Sequence, residues 1–591
     1  MFKTRIRQVY QVIRWVTMIL SFVSIGSLIY DIGFKHPEFH VLTSIYELYL
    51  VTFILNIVAV LFRYLFSWYR PPRKLWFFDG ILLLSMVGIL YSVILTGQVD
   101  PAFTTSEGAW VWVFITLVLG FMRELFTSNI HQAFLDFNPA QLFVGSFLLL
   151  ILLGALALML PEATYEPISL IDALFMSTSA VCVTGMLVLD TALDFTPFGQ
   201  GILLLLFQLG GLGIMTFTSF FSFFFRGKTS YKNQLLIREI TYSGRLTQAY
   251  SMLKTILLYT LGFELLGAIL IFGSLDESTI SNIYSRAFFS IFHSVSSFCN
   301  AGFSTLPEGL YTSSLRFNYP FQLIAASLFI FGGLGFPIVF NFIQYGRYYL
   351  LNTWASIRNQ SPFVHQPRII NINTRIVLVV TAVLIVLGTL LFYIFEYNYS
   401  LSEHSWWGKI AISFFNGTAP RTVGFNSVQT SELQLGTLMV VIFLMWIGAS
   451  PMSTGGGIKT TTLALAILNI THLVQGKDRV EVYRRQISDE SIKRAFAVIF
   501  LSLLVIGVST LFIRIFDPHL DALETVFEVF SAYSTAGLTM GITDELSTAS
   551  KIVLMITMFV GRVTMFTVLI AIFRRFHKMN YRYPVEEIMI N

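Results

Sequence analysis

The stretch "SIFHSVSSFCNAGF" (290–303) is a short amphipathic run that ends in a small, glycine-containing segment. Three other segments align with it on the glycine, namely "ALFMSTSAVCVTGM" (173–186), "ISFFNGTAPRTVGF" (412–425) and "EVFSAYSTAGL" (528–538). Their glycines recur at intervals of 117 residues (Gly185 to Gly302), 122 residues (Gly302 to Gly424) and 113 residues (Gly424 to Gly537). Because such near-constant spacing is typical of internal repeats, the sequence predicts four copies of one unit.

Composition places these units in a membrane. Of the 591 residues, 55% are hydrophobic and 12% are charged, and the mean hydropathy is +0.71, whereas a soluble domain carries roughly 25% charged residues. Apolar runs long enough to span a bilayer recur along the chain, with room for about twelve spans of about 20 residues each. The only cysteines, Cys182 and Cys299, exclude a disulfide-built fold. We interpret them as packing residues rather than redox switches.

Each aligned segment is too short to cross a bilayer, since about 20 residues are needed, and each lies between two long apolar runs. The pattern predicts a helix, a short re-entrant helix, an extended polar strand and a second helix in every unit. The predicted fold is therefore an all-α polytopic membrane protein. Its predicted pore repeats are 139–225, 250–349, 374–473 and 492–573, followed by a cytoplasmic tail at 574–591.

The four polar strands limit what the protein can do. Non-helical backbone is tolerated at membrane depth only where it is buried or lines a water-filled cavity. Four equivalent strands are therefore expected to surround one pseudo-fourfold pore, where rings of carbonyl oxygens can replace the hydration shell of a cation. Glycine permits the positive φ that such strands need. Short helices that direct their C-termini at the pore would favour a cation further.

Charge predicts the orientation of the chain. Basic residues collect in segments 1–7, 63–74, 226–245, 347–375 and 477–494 and in the tail from Arg574. By the positive-inside rule, these segments and both termini are expected to be cytoplasmic. The segments 97–108, 273–282 and 396–404 are acidic or neutral and are expected to face outward.

The motifs "VCVTGM", "FCNAGFST", "RTVGFNS" and "STAGLT", with "QLGGLGIMTF" (208–217) and "FGGLGFPIVF" (331–340), resemble those of the Trk/Ktr/HKT superfamily of potassium transporters over about 139–572. The resemblance implies a cation permease, not an enzyme, with K⁺ as the transported ion and no cofactor. Glycine at all four filter positions is associated with potassium selectivity, and serine at the first with sodium transport. The implied potassium-binding filter comprises Val183, Thr184, Gly185, Asn300, Ala301, Gly302, Thr422, Val423, Gly424, Thr535, Ala536 and Gly537.

The segment "GASPMSTGGGIKTTT" (448–462) interrupts an apolar region from about 435 to 473. The resemblance implies an intramembrane gating loop there, with Gly455, Gly456, Gly457 and Lys459 matching its glycine-rich, cationic character. A kinked structural helix is one alternative. A phosphate-binding P-loop is another, but that motif needs Gly-Lys in direct succession after a strand, and Ile458 separates Gly457 from Lys459.

Arg562 lies inside the last apolar run, where a charge is costly and marks a functional candidate. The resemblance implies an electrostatic barrier near the filter, in contact with the gating loop. The alternative is structural pairing with helix carbonyls. Glu264 is interpreted as a polar residue of the bundle interior rather than as the partner of Arg562. Arg421 is expected either to hold the third filter strand or to face a vestibule.

Residues 1–138 form a predicted N-terminal accessory module with about four further spans. A voltage sensor needs regularly spaced arginines on one helix, and the fourth candidate span offers only Arg123. We interpret the module as a packing or assembly accessory.

The resemblance also implies a homodimer in the membrane of a bacterial cell and a separate cytoplasmic nucleotide-binding subunit. That subunit is expected to dock on the basic loops and the tail "NYRYPVEEIMIN" (580–591). A sodium-permeable protein or an ion-coupled secondary carrier is the alternative function, although carriers usually show inverted repeats and membrane-embedded carboxylates. His293 and His472 show no metal-ligand spacing.

Overall fold

The computed structural model describes residues 2–34, 39–65, 76–96, 107–127, 139–224, 249–275, 280, 282–307, 309–313, 315–359 and 370–572. Several predicted segments lie wholly or mostly outside these residues: the basic loop 226–245, most of the acidic loop 97–108 and the tail 574–591.

The described residues are largely helical, which confirms the predicted all-α class. The helices are α1 (Phe2–Gly33), α2 (Phe39–Leu65), α3 (Trp76–Thr96), α4 (Glu107–Thr127), α5 (Pro139–Leu158), α6 (Leu170–Cys182), α7 (Pro197–Phe224), α8 (Ala249–Ser274), α9 (Ile283–Cys299), α10 (Tyr319–Leu334), α11 (Phe336–Asn359), α12 (Ile372–Glu396), α13 (Trp406–Thr418), α14 (Leu435–Trp446), α15 (Thr460–Val474), α16 (Asp489–Phe516), α17 (Ala522–Ser534), α18 (Thr548–Val563) and α19 (Met565–Ile572). A short antiparallel hairpin joins β1 (Glu481–Val482) to β2 (Arg485–Gln486).

Two compact units make up the chain. One is Met1–Asp136 with Leu160–Tyr165, and the other is Phe137–Met159 with Glu166–Asn591. In the first unit, α1 packs on α2 and α4, and α3 packs on the same two helices. Its interior is partly polar, because the hydroxyls of Ser24 and Thr52 lie 2.7 Å apart.

A buried ion pair joins α3 to α4 in the first unit. Asp79 is 1% exposed and Arg123 is 4% exposed, and Arg123 Nε lies 3.0 Å from Asp79 Oδ1. Arg123 Nη2 donates to Asp79 Oδ2 over 3.2 Å, and Tyr64 donates to the same oxygen over 2.8 Å. The carboxylate therefore has donors from two other helices of the unit.

We expect Asp79→Leu to destabilise this unit, because removing one partner of a buried ion pair costs about 3–5 kcal/mol. The measurement is the temperature at which half of the detergent-solubilised protein loses its size-exclusion peak. The double variant Asp79→Leu with Arg123→Met is the control, and it should recover most of the loss since neither charge of the pair is left buried. Equal losses in the single and double variants would contradict this account.

In the second unit, the four short helices α6, α9, α13 and α17 begin alike. A side chain before each helix accepts a hydrogen bond from a backbone N–H of the first turn, which stabilises a helix start. The four capping residues are Ser169, Asn282, Ser405 and Asp521. The same cap chemistry therefore starts all four predicted pore helices.

The helices that follow α6, α9, α13 and α17 link these four short helices in a cycle. Helix α7 packs on α9, α10 on α13, α14 on α17, and α18 on α6. At the last of these contacts, Lys551 donates to Asp172 over 2.8 Å. The fourth repeat therefore contacts the first.

Among the described residues, five helices are long and apolar enough to cross a membrane individually. Two more pairs pass the same test jointly but are sharply bent, by 101° between α10 and α11 and by 91° between α18 and α19. The bends lie at Gly335 (φ +78°) and Thr564 (φ +70°). A positive φ is easy for glycine but strained for a β-branched threonine, so the second bend is imposed by its surroundings.

Candidate functional site

The four repeat glycines meet in a closed ring, which we call the glycine ring (Gly185, Gly302, Gly424 and Gly537). A Cβ atom added to Gly185 would lie 2.5 Å from the Ala301 carbonyl oxygen. In the same way, a Cβ atom added to each of the other three ring glycines would overlap a backbone carbonyl oxygen. That oxygen belongs to the residue that directly precedes the next glycine of the ring. The oxygens concerned belong to Val423 for Gly302, Ala536 for Gly424 and Thr184 for Gly537. Backbone therefore packs on backbone around the whole ring, with no space for a side chain.

The chain reaches the glycine ring through strained turns. Helices α6, α9 and α17 end in residues with left-handed backbone, Val183 (φ +57°), Asn300 (φ +62°) and Thr535 (φ +48°). This conformation is unusual for non-glycine residues, and strain of this kind clusters at functional sites. Helix α13 instead continues into a 3₁₀ turn, Ala419–Arg421, that contains Pro420. The third repeat therefore enters the ring differently.

A cavity of about 350 Å³ lies on one side of the ring, where the residues that follow each glycine in sequence are found. All four ring glycines line it, together with residues that follow them in each repeat: Leu187, Asp190, Ser304, Leu306, Gly309, Tyr311, Phe425, Asn426, Gln429, Thr430, Leu538 and Thr539. Among the described residues that line the cavity, Asp190 alone is charged. The cavity thus carries a negative charge beside a ring of backbone.

Glycines in α7, α10 and α18 allow close packing behind the ring. A Cβ at Gly210, Gly332 or Gly561 would overlap a carbonyl oxygen in the last turn of the neighbouring pore helix. The motifs "QLGGLG" and "FGGLG" singled out in the sequence therefore place bare backbone against the pore helices. We infer that they support the ring sterically.

The predicted gating segment forms a buried loop between α14 and α15, which we call the glycine-rich loop (447–459). Its two ends meet, since Ile458 N donates to Trp446 O over 3.2 Å and Thr460 N donates to Ala449 O over 3.2 Å. Ser450 donates through its backbone N to the Gly333 carbonyl, which the α10–α11 bend frees, over 3.1 Å. Because helix α14 precedes this loop where a P-loop needs a strand, the phosphate-binding alternative is wrong.

The glycine-rich loop packs against the ring on the side opposite the cavity. A Cβ at Gly456 would lie 2.9 Å from the Ser534 carbonyl oxygen, and one at Gly455 would lie 2.9 Å from the Thr422 side chain. Lys459 folds back on the loop and donates to the Gly455 carbonyl over 2.7 Å. The loop therefore places an ammonium group directly behind the residues that enter the ring.

Arg562 joins the glycine-rich loop to two helices. Its side chain is 1% exposed and donates to the Thr454 carbonyl of the loop and, over 2.8 Å, to the Gly210 carbonyl of α7. Both sequence interpretations of Arg562 thus describe actual contacts, one with the loop and one with a helix carbonyl. Arg562 lies two residues before the bend at Thr564, so the bend and the loop contact are adjacent.

Other singled-out residues lie behind the ring. Glu264 accepts from Gln208 over 3.1 Å and from the Cys299 thiol over 3.7 Å, so it is a polar residue of the interior. Arg421 is 5% exposed and donates to the Gly448 carbonyl of the glycine-rich loop over 3.3 Å. Arg421 therefore holds the loop and does not face the vestibule.

Sequence reasoning missed Thr454 and Ser450. Thr454 bonds to Arg562 through its carbonyl, and its hydroxyl donates to the Phe298 carbonyl over 3.4 Å. Both residues stand in the quoted stretch "GASPMSTGGGIKTTT", yet a hydroxyl beside glycines carries no signal that names its distant partner.

Comparison with known proteins identifies the family. Residues 112–580 match the family described as "TrkH: Cation transport protein". "Ktr system potassium uptake protein B" of Bacillus subtilis is 34% identical over 456 residues, which cover 76% of this chain and 96% of that protein. "Potassium/sodium uptake protein NtpJ" of Enterococcus hirae is 33% identical over 468 residues, which cover 77% and 97%.

A solved structure shares the fold. The crystal structure of the potassium transporter TrkH from Vibrio parahaemolyticus aligns with a TM-score of 0.57 at 20% identity, covering 83% of this chain and 98% of that one. The resemblance inferred from the filter motifs is thereby confirmed. The chain belongs to the TrkH family of cation transport proteins, multi-pass membrane transporters rather than enzymes.

Proposed function

We propose that this protein takes up potassium across the cell membrane through a channel-like pore whose selectivity filter is the glycine ring. The observation that carries the proposal is the closed cycle of backbone contacts among Gly185, Gly302, Gly424 and Gly537. A cation in such a ring exchanges water for carbonyl oxygens. The names of two relatives, a potassium uptake protein and a potassium/sodium uptake protein, support a monovalent cation as substrate.

In this mechanism K⁺ collects in the cavity beside Asp190 and loses water among the carbonyls of Val183, Thr184, Ala301, Val423, Ala536 and their neighbours. Residues Gly455, Gly456, Gly457 and Lys459, held by Arg562, form the gate on the far side. The positive charges of Lys459 and Arg562 oppose a cation while the loop is docked, because Coulomb repulsion is strong away from bulk water. Displacing the loop opens the path.

The pore is built in this proposal from repeats 139–225, 250–349, 374–473 and 492–573. Residues 1–138 act as an accessory module, and both termini lie in the cytoplasm. The active form is a homodimer that works with a cytoplasmic nucleotide-binding subunit. Of the basic loops expected to receive that subunit, the structure describes 347–359, 370–375 and the whole of 477–494, which contains the hairpin β1–β2.

The test is expression in a bacterium that lacks its own potassium uptake, at limiting potassium, with and without a cytoplasmic partner subunit. We expect rescue of growth, and rubidium uptake that potassium inhibits. Inserted protein that neither rescues growth nor moves rubidium, even with the partner, would contradict the proposal.

The name of the Enterococcus relative favours a second candidate, a pathway that also carries sodium. The same cells distinguish the two functions, because sodium at equal concentration should inhibit rubidium uptake weakly if the filter prefers potassium. Inhibition equal to that by potassium would favour the sodium-permeable alternative.

A further inference from the structure

A buried carboxylate accepts hydrogen bonds from the chain just beyond the fourth ring glycine. Glu528 of α17 is 1% exposed and accepts hydrogen bonds from the Thr539 hydroxyl, from Met540 N over 3.1 Å and from the Thr543 hydroxyl over 3.3 Å. Thr539 lines the cavity and follows Gly537 by two residues. One side chain therefore holds three residues of the segment that leaves the ring.

Two other repeats contain a corresponding hydrogen bond at nearly the same place. We call such a bond, from a side chain of the short helix to the segment after the glycine, a tie. His293 of α9 lies 2.9 Å from the Ser304 hydroxyl, and Asn416 of α13 donates to the Ser427 hydroxyl over 2.7 Å. The other ring nitrogen of His293 faces the Phe289 carbonyl at 3.0 Å, so it carries the proton and the nitrogen near Ser304 accepts. Three different side chain types thus make one kind of connection, from the pore helix to the segment after the glycine.

The first repeat differs from the other three. The positions that match Glu528 and Thr539 hold Met176 and Leu187, whose apolar side chains cannot form this bond. Gly537 of the fourth repeat packs against the Thr184 carbonyl of the first. At this junction, as at the one between Gly185 and the Ala301 carbonyl, a strand held by such a bond meets the strand of the first repeat, which has none.

We propose that Glu528 is a positioning residue for ion selectivity, which holds the segment after Gly537 so that the fourth strand stays against the first. The inference rests on the proposed function of the ring as a filter. Hydrogen bonds to a carboxylate are roughly twice as strong as neutral ones, and a fully satisfied buried network specifies one geometry. Loss of this network should widen the junction between Gly537 and Thr184, and a wider ring discriminates less between K⁺ and the smaller Na⁺.

The test uses the full chain in liposomes and measures how potassium and sodium each inhibit rubidium uptake, at equal amounts of folded protein. We expect Glu528→Gln and Thr539→Val each to lower the preference for potassium over sodium about three- to tenfold, because the first weakens and the second removes one strong hydrogen bond. Thr539→Ser keeps the hydroxyl and is the matched control, with preference retained. Glu528→Gln removes the charge that strengthens the bond from Thr539, and Thr539→Val removes the donor. Because both variants act on the same bond, the double variant should be no worse than the single variant with the lower preference.

Wild-type preference in both single variants would overturn the inference, as would effects that multiply in the double variant. If Glu528→Gln does not fold, unchanged preference in Thr539→Val alone overturns it. If the wild type prefers potassium over sodium and the variants show the same preference, the inference about Glu528 is overturned but the proposed function stands. A wild type that moves no cation would instead contradict the proposed function itself, and this inference with it.

Discussion

Replacing Gly185 by serine is expected to lower the preference for potassium over sodium about tenfold or more, because the filter loses its geometry. Gly185 has φ +85°, which a side chain strains, and an added Cβ would lie 2.5 Å from the Ala301 carbonyl oxygen. That oxygen belongs to the backbone of the next strand and cannot move aside as a flexible side chain can. The first strand must therefore shift, and the ring with it.

Rubidium uptake in competition with potassium and with sodium measures this effect. Gly201→Ser is the matched control, since Gly201 lies in α7 of the same repeat and a Cβ there meets nothing within 4 Å. Unchanged selectivity in the Gly185 variant, at normal expression, would mean that the ring is not the filter.

Replacing Arg562 by methionine is expected to raise potassium flux about tenfold and to weaken its control, because an intramembrane charge that opposes cations is removed. The guanidinium holds the glycine-rich loop through the Thr454 carbonyl and anchors it to Gly210. Methionine has similar length but offers no donor, so the loop loses this anchor. Deletion of Gly455–Lys459 should act in the same direction, since it removes the obstacle itself.

Initial rates of rubidium uptake, measured with and without the cytoplasmic partner, test this expectation. Arg514→Met is the control, because Arg514 also donates to backbone carbonyls, those of Pro518 and Leu520, at the end of α16. A lower flux in Arg562→Met, with Arg514→Met behaving as wild type, would assign Arg562 a role in conduction rather than in closure.

Local pattern was sufficient to predict the four short helices and the interruption that forms the glycine-rich loop. The short helices are flanked by long apolar runs, and hydropathy and the glycine period detect both features. The interruption between α14 and α15 was equally visible, because its glycines, Pro451 and Lys459 stand in apolar surroundings.

The bends and the ties could not be predicted from pattern. The apolar run continues on both sides of Thr564, so the sequence gives no sign of the bend there. The positive φ of Thr564 is imposed by packing, and no local propensity encodes it. The 3₁₀ turn after α13 departs from the other repeats at Pro420, a difference that alignment on the glycine conceals. The bond between Glu528 and Thr539 joins residues whose meeting depends on the turn at the ring.

In the proposed mechanism, K⁺ loses its water among the carbonyls around Gly185, Gly302, Gly424 and Gly537. The most direct measurement is anomalous diffraction from crystals in which thallium(I) replaces potassium. We predict anomalous peaks on the axis of the glycine ring in the wild type, weakened or lost in Gly185→Ser. Anomalous peaks elsewhere in the protein, with none at the ring, would contradict the account.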